Sequence, residues 1–295
     1  MLEQKLKNGD FVITAEIVPP LSSHRDDLLK RVAPLAGLAD AVNVTDGAGA
    51  RLAMSSLSAS AILVSAGFEP VLQMTCRDRN RIGLASDLLG AGAQGVENLL
   101  VLRGDNPAAG DMPEAKAVFD LESSELIAMA SDMQKVLGND GLEVTAPPEL
   151  FVGCADLPHD PAPDWKPQAL RAKIAAGAQF AQTQFCFDVE IAKRYFDHLE
   201  KSGITDQLRF IVGIGPLLSL KQAVYMNEKL FGVNVPDHIL ARMEAAEDQK
   251  AEGQKICVEI ATALKEIAGV SGVHIMAPGQ NGNALARTIR SIRAS

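Results

Sequence analysis

The sequence predicts an α/β protein, a (β/α)8 TIM barrel with extra helices between the seventh and eighth strands. Three observations carry that prediction. Eight short apolar runs of strand length recur along the 295 residues. Segments with helical spacing separate most of them, the alternation that a parallel sheet requires. Polar residues gather at the C-terminal ends of the runs, where a barrel of this kind places its chemistry. A large doubly wound sheet shares the alternation, but eight strands favour closure.

The first strand is Phe11–Val18, stopped by Pro19-Pro20, and His24–Leu38 follows with helical spacing. Ala41–Thr45 is the second and runs into Asp46-Gly47-Ala48-Gly49, with a helix through about Ala66. Pro70–Cys76 is the third, followed by a helix over Asp78–Leu89. Leu99–Leu102 is the fourth and breaks into Arg103-Gly104-Asp105, with Asn106-Pro107 as a turn. A polar loop to Lys116 and a helix near Glu122–Leu137 come next. Leu150–Ala155 is the fifth strand, and a Pro-rich loop from Leu157 to Pro163 leads to a helix holding Ala169–Ala176. Phe180–Phe185, Arg209–Ile214 and Val273–Met276 complete the set, and Ser219–Gly269 reads as two or three inserted helices. No composition shift marks a linker, so residues 1–295 are expected to form one catalytic barrel domain. Gly90–Gly95 matches G-x-G-x-x-G, but a helix precedes it and a strand follows, the reverse of a dinucleotide loop. These glycines are expected to cap a helix C-terminus.

Composition narrows the function classes. The chain is 47% hydrophobic and 22% charged, ordinary for a globular protein. A net charge of −9 argues against general binding to nucleic acid or membrane surfaces, so an anionic ligand needs a local basic site. No run approaches the ~18 apolar residues of a membrane span, and Met1–Lys5 opens no signal peptide. Four cysteines without C-x-x-C spacing point to a reducing cytoplasm.

On the first strand Val12, Thr14, Glu16 and Val18 share one face, and Ile13, Ala15 and Ile17 the other. Glu16 is thereby directed toward the barrel centre. It is either a general acid held protonated by burial or a structural partner of a Lys or Arg. Arg103 and Asp105, two apart, are expected to point the same way, as a site or as a pair tying down a loop. Thr45 and Asp46, Gln73 and Thr75, Gln182 and Gln184, and Gln280 add polar groups at other strand ends. Cys76, Cys154 and Cys186 also fall there; they read as small buried hydrophobes, with a zinc-thiolate methyltransferase as the alternative. His159 is the histidine best placed for a ligand, His274 reads as core, and Trp165 as a loop anchor or a stacking surface.

Taken in order, these pieces resemble the methylenetetrahydrofolate reductase family. The matching segments are Ala15-Glu16-Ile17-Val18-Pro19-Pro20, Val44-Thr45-Asp46, Arg103-Gly104-Asp105, Ala176-Gly177-Ala178, Thr183-Gln184-Phe185-Cys186-Phe187-Asp188 and Val273-His274-Ile275-Met276. The resemblance implies a cytoplasmic flavoprotein of one-carbon metabolism and methionine biosynthesis, with FAD, NADH or NADPH as co-substrate, a folate substrate and a homo-oligomeric assembly. It puts Glu16 at the general-acid position and Asp105 at the pterin-contacting carboxylate. Gln184 takes the position meeting folate or nicotinamide, and Gln280 the position holding the folate tail. Thr45, Asp46, Gln73, Arg103, Gly104, Asp105, Phe119, His159 and Lys173 fall at flavin-contacting positions.

The chain also departs from the family pattern, with Gln73 for a His, Ala155 or Asp156 for a Tyr, and Lys166 and Ala169 for an Asp and an Asn. Met276 stands for a Tyr and Gln280 for the Arg on the tail. A flavin-independent folate reductase and a non-catalytic folate-binding protein are the alternatives these departures leave open.

Overall fold

Strands that are apolar on both faces need cover on both, and here a ring of helices covers one face while the strands cover one another on the other. The computed structural model describes residues 1–139 and 141–295. Among the described residues there are eight strands: β1 (Val12–Ile17), β2 (Ala41–Val44), β3 (Pro70–Thr75), β4 (Asn98–Leu102), β5 (Phe151–Asp156), β6 (Phe180–Phe185), β7 (Arg209–Ile214) and β8 (Val270–Ile275). They run parallel in chain order, and β8 pairs with β1 to close the barrel. Thr14 registers with His274 and Ala15 with Ile275 at that seam.

Twelve α-helices surround them among the described residues. They are α1 (Leu2–Asn8), α2 (Arg25–Val32), α3 (Ser56–Ser65), α4 (Arg81–Ala93), α5 (Ser123–Ser131), α6 (Met133–Gly138), α7 (Gln168–Ala175), α8 (Val189–Lys201), α9 (Leu220–Lys229), α10 (Asp237–Ala245), α11 (Gln249–Lys265) and α12 (Gly282–Ala294). The insertion between β7 and β8 is three helices, α9 to α11. None of the described helices is long and apolar enough to cross a membrane.

The barrel interior is layered. At its base Val12, Ala41, Val71, Leu100, Phe151, Phe180 and Ile211 pack together, and Leu2 and Leu6 of α1 seal them from below. The next layer is polar, with Thr14, Asn43, Gln73, Gln182 and His274 all buried. The alternate residues Ile13, Ala15 and Ile17 of β1 belong to the larger core between strands and helices. The two-residue period of β1 thus sets Glu16 on the inner face, as its sequence predicts.

Two local expectations are corrected. The helix read over Glu122–Leu137 breaks at Asp132, whose backbone leaves the helical region (φ −147°, ψ 76°) and whose carboxylate caps α6 at Lys135 N, 3.0 Å away. Gly90 and Gly92 lie inside α4 rather than at its cap. A Cβ at Gly92 would stand 2.7 Å from Pro148 Cβ, so close packing is its role, and only Gly95 (φ 75°) takes the left-handed turn.

Candidate active site

A cavity of about 1020 Å³ opens at the C-terminal mouth of the barrel. Glu16, Gln73, Leu100 and Gln182 form its floor, and Asp156, His159, Trp165 and Lys173 one wall; Gln184, Met276 and Phe231 also line it. The size and the mix of apolar wall with a few convergent polar groups are those of a ligand site.

Glu16 stands 3.8 Å (Oε2) from Nε2 of His274, with its side chain 21% exposed and the imidazole fully buried. Among the described residues it has no Lys or Arg partner, which removes the structural-pair reading of this carboxyl. His274 Nδ1 lies 2.8 Å from Thr14 Oγ1, and Nε2 has no hydrogen-bond partner of its own. With the Thr14 hydroxyl donating to Nδ1, the ring presents an N–H to the carboxyl.

Around Glu16 the polar groups include amides, two ammonium groups and the Asp156 carboxyl. Gln184 Oε1 accepts from Phe185 N at 3.0 Å, which leaves its NH2 free. Asn43 Nδ2 donates to Gln182 Oε1 across the barrel at 2.7 Å. Lys173 Nζ donates to Ala155 O at 2.6 Å. Asp156 Oδ2 accepts from Tyr195 OH at 2.9 Å. Burial raises the Asp156 pKa against the lowering pull of that bond, and burial with the adjacent carboxylate drives the Tyr195 phenol far up. His159 Nδ1 lies 3.0 Å from Leu157 O, with its ring edge-on to Trp165 at 4.6 Å. Trp165 is thus both a loop anchor and part of the cavity wall.

Glu16, Gln73, His159, Lys173 and Gln184 are therefore brought together. The other expected site residues are not. Thr45 is buried beneath the rim. Asp46 is bound to Arg79 and accepts from Ser56 Oγ (2.9 Å), Thr75 N (2.8 Å) and Thr75 Oγ1 (3.0 Å). Arg103 is exposed, 4.6 Å above the Phe119 ring and 3.9 Å from Glu122. Asp105 is exposed and accepts from Gly49 N at 2.8 Å. The shared direction expected for Arg103 and Asp105 fails because β4 ends at Leu102 and Gly104 turns left-handed (φ 95°). A Cβ at Gly104 would lie 2.8 Å from Arg77 Cβ, so that turn needs glycine. Gln280 Nε2 donates to Pro216 O at 3.1 Å and borders a separate space of about 500 Å³ that also reaches Glu16.

The thiols of Cys76, Cys154 and Cys186 are buried, and burial pushes them up to about 11, about 12 and about 12. No three His, Cys, Asp or Glu side chains converge among the described residues. Tyr195 is a cavity residue that sequence reasoning did not single out, and Asp156 entered it only as a departure from the family pattern. Tyr195 sits on the buried face of α8, and its pairing with Asp156 has no sequence signature.

Fold and site together define a (β/α)8-barrel protein with a ligand-sized cavity at the C-terminal mouth, lined by carboxyl, amide and ammonium groups. The methylenetetrahydrofolate reductase family model matches residues 1–289, and the chain belongs to that family. It is 27% identical over 269 residues to 5,10-methylenetetrahydrofolate reductase of Escherichia coli K12, covering 90% of this chain and 84% of the relative. It is also 27% identical over 241 residues to a probable methylenetetrahydrofolate reductase (NADPH) of Caenorhabditis elegans. That match covers 79% of this chain, which spans only 34% of the longer nematode protein. Relatives so named are oxidoreductases. Among solved structures, a Clostridium thermocellum protein that binds two copies of 5-methyl-5,6,7,8-tetrahydrofolic acid superposes with a TM-score of 0.67. It is 16% identical, and the match covers 100% of this chain and 98% of that one. EDTA monooxygenase from Chelativorans sp. BNC1 gives 0.58 at 10% identity, over 96% of this chain and 92% of that one. These two likenesses speak to the fold.

Proposed function

We propose that the protein reduces 5,10-methylenetetrahydrofolate to 5-methyltetrahydrofolate with hydride from NADH or NADPH. The observation that carries this reading is Glu16, a carboxyl without a cationic partner on the cavity floor, backed by buried His274. As general acid, Glu16 gives its proton to N10 of the folate as the bond from the bridging carbon to N10 breaks. The product is an N5 iminium, and hydride addition at its carbon leaves the N5-methyl group. His274 lies behind the carboxyl, its Nε2 3.8 Å from Oε2. An enzyme accelerates both directions, so supply of substrate sets the net one.

The cavity also fits FAD. Free amide hydrogens of Gln73 and Gln184 suit ring carbonyls and nitrogens, Trp165 gives an aromatic wall, and Lys166 and Lys173 suit a diphosphate. When bound, FAD supplies two-electron carriage between nicotinamide and folate. One cavity serving both substrates implies ping-pong kinetics. A second reading, direct hydride transfer without flavin, draws support from the placement of Thr45, Asp46, Arg103, Gly104 and Phe119 away from the cavity.

The visible spectrum of the purified protein with added FAD separates the readings. Uptake of about one FAD, bleached by NAD(P)H and restored by methylenetetrahydrofolate, is the expected result. A colourless protein that still turns over NAD(P)H and folate moves the second reading to the front. Folate binding with no turnover of either kind overturns both.

A further inference from the structure

On β6 the cavity meets two glutamines, and only the outer one, Gln184, lies at a folate-contacting position of the family. Gln182 lies two residues deeper on the same strand, also lines the cavity, and is only 7% exposed. Its carbonyl oxygen is taken by Asn43 Nδ2 at 2.7 Å, so the side of the amide left for a ligand is its NH2. The opposite arrangement would bury an unpartnered Asn43 amide donor, a costlier orphan than the Asn43 Oδ1 acceptor that is unpartnered now. Gln184 is fixed in the same sense, because Phe185 N–H can only donate to its oxygen. This strand therefore offers the cavity hydrogen-bond donors and reads acceptors. Asn43, the anchor, is in register with Glu16 on the neighbouring strand, which sets the Gln182 amide beside the acid.

We infer that Gln182 is a specificity-determining residue that donates to the C4 carbonyl of the pterin, with Asn43 as the positioning residue that fixes its amide. This rests on the proposed folate reaction. With Glu16 serving the N5–N10 bridge, the ring acceptor nearest to it is the carbonyl at C4, adjacent to N5. The locked amide would accordingly favour a 4-oxo pteridine over a 4-amino one, which presents a donor at that atom.

The test compares dissociation constants of 5-methyltetrahydrofolate and its 4-amino counterpart by calorimetry, on the full chain and its variants. The wild type is expected to prefer the 4-oxo ligand by about tenfold or more. Gln182→Glu keeps an oxygen for Asn43 Nδ2 but turns an acceptor to the ligand. It is expected to weaken 4-oxo binding about tenfold and to remove or reverse the preference. Gln182→Met, close in size and without a donor, is expected to lose the preference without reversing it, and serves if the glutamate variant does not fold. Equal weakening of both ligands, or an unchanged ratio, would mark Gln182 as structural and overturn the inference while leaving the folate reaction standing. A wild type that binds neither ligand would instead overturn the folate reading, and this inference with it.

Discussion

The two sides of the barrel mouth hold similar residues and use them differently. Over β2, β3 and β4, Asp46 and Asp87 hold Arg79, Asp78 holds Arg77, and Asp105 takes the Gly49 N–H. Nearly every charge there is bound to another part of the same rim. On the side of β1, β5, β6 and β8, Glu16 has only an imidazole at 3.8 Å, and Gln184 and Gln182 each keep a free amide end toward the cavity. A polar residue at a strand end becomes scaffold when its hydrogen-bonding capacity is filled within the protein. It can become part of a site when it faces the cavity with some of that capacity left over.

Substitutions can break this contrast, and the largest effect is expected at Glu16. Glu16→Gln should lower folate turnover by about 10²–10⁴-fold and leave the folate dissociation constant within a few-fold, read by steady-state kinetics beside calorimetry. Equal loss in both would make Glu16 a binding residue only. On the other side the effect moves from activity to stability. Asp46→Ala leaves Arg79 half-buried with one partner fewer, and should cost about 3–5 kcal/mol in urea unfolding. Asp105→Ala, at an exposed site, should cost under about 0.5 kcal/mol. Similar losses for the two would mean that burial does not set the worth of these rim carboxylates.

A pH-dependent effect of intermediate size is expected at Asp156. Burial raises its pKa above the ordinary 3.8, so the folded protein keeps a proton that the unfolded chain releases. Its contribution to stability is full below that ordinary value and is lost as pH climbs through the raised one. Asp156→Asn keeps an acceptor for Tyr195 and cannot ionise. Its melting temperature should match the wild type near pH 4 and exceed it by roughly 2 °C at pH 8. A gap that is constant with pH would mean the carboxyl is not penalised.

Much of this was legible in the chain itself. The alternation of β1 directed Glu16 inward, eight strand-length runs foretold the closed barrel, and both amides of β6 line the cavity. Periodicity assigns a face and stays silent about partners. His274 read only as core because Thr14 is 260 residues away, and the Asn43–Gln182 and Asp156–Tyr195 bonds join positions 139 and 39 apart. Arg103 and Asp105 misled for a local reason: one left-handed glycine cancelled the alternation that would have paired them.

The seam between β1 and β8 has a consequence for how the protein is made. Thr14 and His274 face each other there, yet 260 residues lie between them. At a synthesis rate of about 5–20 residues per second, the outer edge of β1 waits on the order of 10–50 s for its neighbour. Through that interval a row of strand amides and carbonyls is open to pairing with the wrong chain. The hydrogen bond that steadies the imidazole behind the acid is thus among the last to form, and a ribosome that stalls before β8 would leave both an unsealed barrel and an unsupported Glu16.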